Sequence, residues 1–109
     1  MSKRTEQVAE LLLQEINKVL VRDFEAPLGT FVSVSVATVA PDLKNATAYL
    51  SIMPSNKIGT VLEAVKRFTP HIQRIVNKTL KMRFVPRINW EIDERDLKYK
   101  IIDDALAAK

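Results

Sequence analysis

"NKTLKMRFVPRINWEID", spanning Asn77 to Asp93, changes character at its middle. Lys78, Lys81, Arg83 and Arg87 follow one another across its first eleven residues with no acid among them. In the second half Ile88, Trp90 and Ile92 alternate with Arg87, Asn89, Glu91 and Asp93, the period-two pattern of a strand buried on one side. Pro86 suits the entrance to an edge strand, where its missing N–H costs no ladder bond. A strand at this point decides the fold. The long helical pattern ahead of it puts it beyond the reach of a tight turn, so it joins a sheet only through a crossover.

Working back toward the N-terminus, Val8, Leu11, Leu12, Ile16, Val19 and Leu20 share one helical face, with polar residues elsewhere. This predicts a long amphipathic helix starting near Ser2 or Thr5 and ending before the turn "EAPLGT". "TFVSVSVATV" then alternates, placing Val32, Val34 and Val36 on one side and Ser33 and Ser35 on the other. After "APDLKN", the stretch "ATAYLSIM" puts Ala46, Ala48, Leu50 and Ile52 inward and Thr47, Tyr49 and Ser51 outward. The two strands are expected to pair as a hairpin.

"PSNKIGT" opens the next helix, with Thr60 and Glu63 at capping-box spacing and Ser55 an alternative start one turn earlier. Ile58, Val61, Leu62, Val65 and Phe68 form its apolar side. Pro70 inside a helix would cost about 3 kcal/mol, whereas at a first helical position behind a Thr69 cap it is favourable. The reading is therefore two successive helices with a sharp break at Thr69–Pro70. The order becomes helix, strand, strand, helix, helix, strand: an α+β domain with a three-stranded sheet and its helices on one face. Residues 1–109 form one domain, and the weakly periodic tail over about 95–109 is expected to be partly ordered at best.

The charge is local. From Ala64 to Trp90 there is no Asp or Glu, but seven cations: Lys66, Arg67, Arg74, Lys78, Lys81, Arg83 and Arg87. Of 17 basic residues ten remain outside that window against 13 acidic ones, so the formal net charge of +4 comes from this one segment. At 100° per residue, Lys78 and Lys81 lie within about 40° of Arg74, opposite Ile72, Ile75, Val76 and Leu80. A solubilising helix face is the plain alternative, but such faces mix signs, because opposite pairs at i,i+4 stabilise and like pairs do not. Uncompensated charge points to a polyanion, and the stripe is read as a phosphate-binding surface that positions RNA without reading bases. Trp90 reads as core, and Phe31 sits opposite the valine face.

Chemistry finds little support. There is no cysteine, and the single His71 cannot build a multi-histidine metal site. The carboxylates Asp42, Glu91, Asp93 and Asp96 form no pair whose spacing compels proximity, and nothing supplies a partner nucleophile or base. With Gly29 and Gly59 the sole glycines, no glycine-rich phosphate loop exists. The expectation is no enzymatic activity, no cofactor, no metal and no small-molecule substrate. No apolar run approaches the ~18 residues of a membrane span, and Glu6 and Glu10 interrupt any signal-like stretch. A cytoplasmic monomer is expected.

Several strings resemble one family. "QVAELLLQEINKVL", "APLG", "VSVATVAPDLKNATAYLSI" and "LKMRFVPRINWEID" are similar, in order and spacing, to ribosome-binding factor A, a bacterial small-subunit assembly factor. The similarity covers roughly Arg4 to Leu106. It implies a KH-like (type II) fold and a non-enzymatic role: binding the immature small ribosomal subunit and its ribosomal RNA, assisting late RNA folding and processing, and mattering most in the cold. By position it implies RNA contact at Arg74, Lys78, Lys81, Arg83 and Arg87, and also at Lys66, Arg67, Lys3 and Arg4. The chain departs from the family where Phe68, Thr69 and Pro70 replace its Ala-x-Gly break, and where Asn77 replaces a common glycine. The alternatives are a general KH-like RNA-binding module, which the lack of a GxxG loop weakens, and a protein-interaction α/β module using the Thr47–Tyr49–Ser51 face.

Overall fold

The computed structural model describes residues 3–93. The tail expected over 95–109 lies outside the described residues. Helix α1 runs Lys3–Asp23, strand β1 Phe31–Val39, strand β2 Asn45–Met53, helix α2 Ile58–Thr79 and strand β3 Arg87–Ile92. A single 3-10 turn, Ser55–Lys57, leads into α2, which places Thr60 inside the helix and not at its cap. Thr5 is likewise already within α1.

The sheet has the order β1-β2-β3. β1 and β2 are antiparallel neighbours, and β3 lies parallel to β2 with Ala46 opposite Ile88 and Leu50 opposite Ile92. α2 is therefore the crossover that the β3 pattern demanded. Both helices cover the same face. Val8, Leu12, Ile16, Val19 and Leu20 of α1 and Val61, Val65, Ile72 and Val76 of α2 bury against Val34, Ala48, Leu50, Ile52 and Ile88. Alternation along β2 holds throughout, with Ala46, Ala48, Leu50 and Ile52 buried as expected. Trp90 is half-buried and packs on this core.

The expected break at Thr69–Pro70 does not occur: α2 continues through Pro70 as one 22-residue helix. Its buried residues explain why. Val61, Val65, Ile72 and Val76 are all fully shielded, and their spacing keeps one helical phase across the proline. A break would swing Ile72 and Val76 off the core, losing roughly 1.5–3 kcal/mol for each side chain. That outweighs the ~3 kcal/mol cost of an interior proline. Pro70 is itself exposed, as is Lys66 one turn before it, so the carbonyl that loses its N–H partner lies on the watered side of the helix. The Thr69 hydroxyl donates to the Val65 carbonyl at 2.9 Å.

β1 also departs from simple alternation. Its pairing shifts between Val34 and Val36, with Val34 opposite Leu50 and Val36 opposite Tyr49. Ser35 is the extra residue of this bulge. Its hydroxyl bonds the Tyr49 carbonyl at 3.2 Å and the Asp93 carboxylate at 2.7 Å. One added residue reverses the side on which everything after it points. Val36, expected inward with Val32 and Val34, therefore faces out at 41% exposure.

Candidate nucleic-acid interface

The nine expected contact residues are all exposed: Lys3, Arg4, Lys66, Arg67, Arg74, Lys78, Lys81, Arg83 and Arg87. Among the described residues none lies in an ion pair; the pairs present join Lys18 to Glu15 and Arg22 to Asp23, and His71 contacts Asp23. The surface charge is thus not cancelled at contact range.

The unbroken helix rearranges the stripe. At 100° per residue, Arg67, Arg74 and Lys78 fall within about 40° of one another on α2, because no kink resets the phase at Pro70. Lys81, placed on that stripe by the sequence reading, is not helical: α2 stops at Thr79, and Leu80 turns extended at φ −80 and ψ 120. Lys66 lies about 80° round the helix from Arg74, toward β3. There, with Arg87, Pro70, Gln73 and Asn77, it lines an open groove of about 870 Å³ between α2 and β3.

Gln73 fixes that groove. Its Oε1 accepts the Ile88 N–H at 3.0 Å, and its Nε2 donates to the Pro86 carbonyl at 3.2 Å. The indole N–H of Trp90 donates to the Thr69 hydroxyl at 2.7 Å, a second tie from β3 to α2.

A second groove, of about 470 Å³, opens where the β1–β2 turn meets the segment after α2. Arg4, Lys44 and Arg83 line it, and Val85 lines both grooves. Lys44 was missed in sequence because it lies in the β1–β2 turn, outside the acid-free window, and only folding brings it beside Arg83. The cationic surface therefore has three parts: a ridge on α2 and two grooves that share Val85.

One carboxylate from a distant segment reaches the ridge. Asp23, at the end of α1, lies 2.9 Å from His71 Nε2, and His71 Nδ1 lies 2.9 Å from Arg74 Nη2. A guanidinium only donates, so Nδ1 accepts, and Nε2 carries the proton given to Asp23. Arg22 bonds the same carboxylate at 2.9 Å. The Arg22 bond first, then His71, holds the Asp23 carboxyl at about 2, below its usual 3.8. Asp23 thus contacts Arg22 and His71 directly and reaches Arg74 only through the imidazole, while the Arg74 side chain stays exposed. His71 is a link between helices, packed against Phe68 with ring centroids 4.8 Å apart.

Among the described residues no group of His, Asp and Glu could hold a metal ion. No helix there is long and apolar enough to cross a membrane. What the surface can do chemically is to bind polyanions.

The profile of ribosome-binding factor A matches residues 4–106. The chain belongs to that family. A ribosome-binding factor A of Akkermansia muciniphila is 35% identical over 94 residues, covering 86% of this chain and 74% of that protein. One from Magnetococcus marinus is 31% identical over 108 residues, covering 97% and 88%. Among solved structures, the crystal structure of ribosome-binding factor A from Thermus thermophilus superposes with a TM-score of 0.70 at 14% identity, covering 81% of this chain and 94% of that one. A Thermus thermophilus homology model fitted into a cryo-electron-microscopy map of a 30S complex of that factor gives 0.62 at 16% identity, covering 87% and 97%. These two likenesses establish the fold.

Proposed function

We propose that the chain is a non-enzymatic assembly factor that binds the immature small ribosomal subunit and holds a conformation of its ribosomal RNA. The observation that carries this reading is the unpaired cationic surface of α2 and the segment after it, in a chain of this family. Family members bear the name of ribosome-binding factors, and one has been fitted into a 30S complex. Arg67, Arg74 and Lys78 would grip phosphates along the ridge, while Lys66, Arg87, Lys81, Arg83, Lys3 and Arg4 extend the contact on either side. Such contacts set position and register and carry no base code. The work on the RNA is thermodynamic: a fold that presents its phosphates to the ridge is stabilised over one that does not, which assists late folding and processing. That help matters most in the cold, where RNA rearranges slowly. The site of action on this reading is the cytoplasm.

Sedimentation of cell lysate tests the proposal. The chain should travel with free small subunits and not with translating ribosomes. Absence from every ribosomal fraction at low salt would remove the reading.

A protein-contact reading has its own observation. Phe31 and Met53 are cross-strand neighbours on the outer face of the sheet, 80% and 61% exposed, with Val36 on the same face. This exposed apolar patch is the contact surface that such a reading requires. On that alternative, Phe31→Ser abolishes the association while reversal of Arg74 and Lys78 leaves it intact.

A further inference from the structure

Phe84 stands 74% exposed in the segment between α2 and β3. Single exposed apolar residues are common and mean little by themselves. Its surroundings are what matter. The Arg83 guanidinium sits 5.5 Å from the ring centroid, within cation–π range. The ring lines the smaller of the two grooves, whose half-buried apolar residues Leu43, Met82 and Val85 pack on the core. Arg4, Lys44 and Arg83 surround it, each from a different segment of the chain. The one carboxylate present, Asp42, has its Oδ1 turned back to accept the Lys44 N–H at 2.9 Å. The groove is also tied together: the Lys44 carbonyl accepts the Arg87 N–H at 2.9 Å, joining the β1–β2 turn to the start of β3.

We propose that this groove binds an unpaired nucleotide of an RNA strand. The base stacks on Phe84, and the flanking phosphates lie against Arg4, Lys44 and Arg83. The inference rests on the RNA-binding reading above and adds a requirement to it. A ridge of cations holds paired and unpaired phosphates alike, whereas a ring offers its face only to a base that has left its own stack. The strand, and not a free nucleotide, is the assigned source because the cations can serve more than one phosphate: Arg4, Lys44 and Arg83 line this groove, and Lys66 and Arg87, together with the carboxylate Glu91, line a second groove that shares Val85 with it.

The test measures fluorescence anisotropy with three probes: a labelled unstructured ten-nucleotide RNA, a blunt duplex of the same length, and AMP as competitor. Phe84→Ala removes no core packing, and circular dichroism checks its fold. It should weaken single-strand binding by about 5- to 100-fold, the range of one lost base–aromatic stack, and leave duplex binding within about twofold. Phe84→Trp should restore single-strand binding, since indole stacks as well. Equal losses on single strand and duplex, or no loss on either, would overturn the stacking site. AMP competing as tightly as the oligonucleotide would overturn the strand assignment. A Phe84→Ala protein that binds every RNA normally yet leaves the small-subunit fraction would make Phe84 a protein contact and overturn the proposal. Wild-type protein binding neither RNA would bring down the parent reading. Wild-type protein binding both, with Phe84→Ala indistinguishable from it, would bring down the nucleotide site alone.

Discussion

Asn17 lies against Val34 as a neighbouring strand would: its Oδ1 accepts the Val34 N–H at 2.7 Å and its Nδ2 donates to the Val34 carbonyl at 3.0 Å. Gln73 does the same on the opposite edge, at Ile88 and Pro86. Each helix thus lends one primary amide to one outer strand. Exposed edges invite pairing with other chains, and here two side chains occupy the backbone groups at which such pairing would begin.

Asn17→Ala and Gln73→Ala should each cost about 1–3 kcal/mol, because the strand groups they serve lose partners in a half-buried setting. The edges are separate, so the two losses should add. Urea unfolding of the single and double variants measures this. A double variant no less stable than either single one would show that the edges are coupled.

Thr69→Val removes the hydroxyl that accepts the Trp90 N–H and donates to Val65, with little change in volume. A loss of roughly 1–2 kcal/mol is expected, chiefly from the indole N–H left without its partner. Trp90 fluorescence should shift as the ring loses its tether. Stability equal to that of wild type would mean that water replaces the hydroxyl at no cost.

Pro70→Ala should stabilise the protein, by about 1–3 kcal/mol, since an exposed interior helix position regains its N–H and a better helix former. Were Pro70 the first residue of a second helix, the same change would be neutral or harmful. Thermal melts give the sign directly.

Asp23 makes stability depend on pH at the acid end. Its carboxyl is held at about 2 in the folded protein by Arg22 and then His71, against a usual 3.8. A group with a depressed folded value contributes above its unfolded value and loses that contribution as pH falls through the folded one. Wild type should therefore exceed Asp23→Asn in stability near neutral pH, with the gap closing between about pH 4 and 2. A gap that stays constant over this range would mean that the Asp23 charge does not matter.

Arg67 tests the continuity of the ridge. If about four to six phosphates are neutralised, log K against log salt should fall with a slope of roughly −3 to −5. Arg67→Gln should make that slope shallower by about 1, as should Arg74→Gln. An effect at Arg74 with none at Arg67 would confine the contact to the C-terminal half of α2.

Much of this was legible because it depends on local periodicity. The alternation of Ala46, Ala48, Leu50 and Ile52 and of Ile88, Trp90 and Ile92 marked two strands. The stretch of helix between them required a crossover. The acid-free run exposed the cations. Pro70 was misread because its local cost was weighed without the packing of Ile72 and Val76 on its far side. The bulge at Ser35 left no mark, since a period-two pattern carries no sign of one inserted residue. Lys81 was placed by extending a helix past the point where Leu80 turns it.

The order of residues alone determined which segments are helix and strand, that β3 must cross over, and where positive charge has no counter-charge nearby in the chain. These follow from side-chain period and covalent neighbourhood, which are properties of sequence. Only the tertiary structure decided that α2 runs straight through its proline, that Lys44 and Arg4 join Arg83 around Phe84, and that Asp23 reaches His71. Those outcomes depend on burial and on distances between remote segments, and both exist only once the two helices have closed over one face of the sheet.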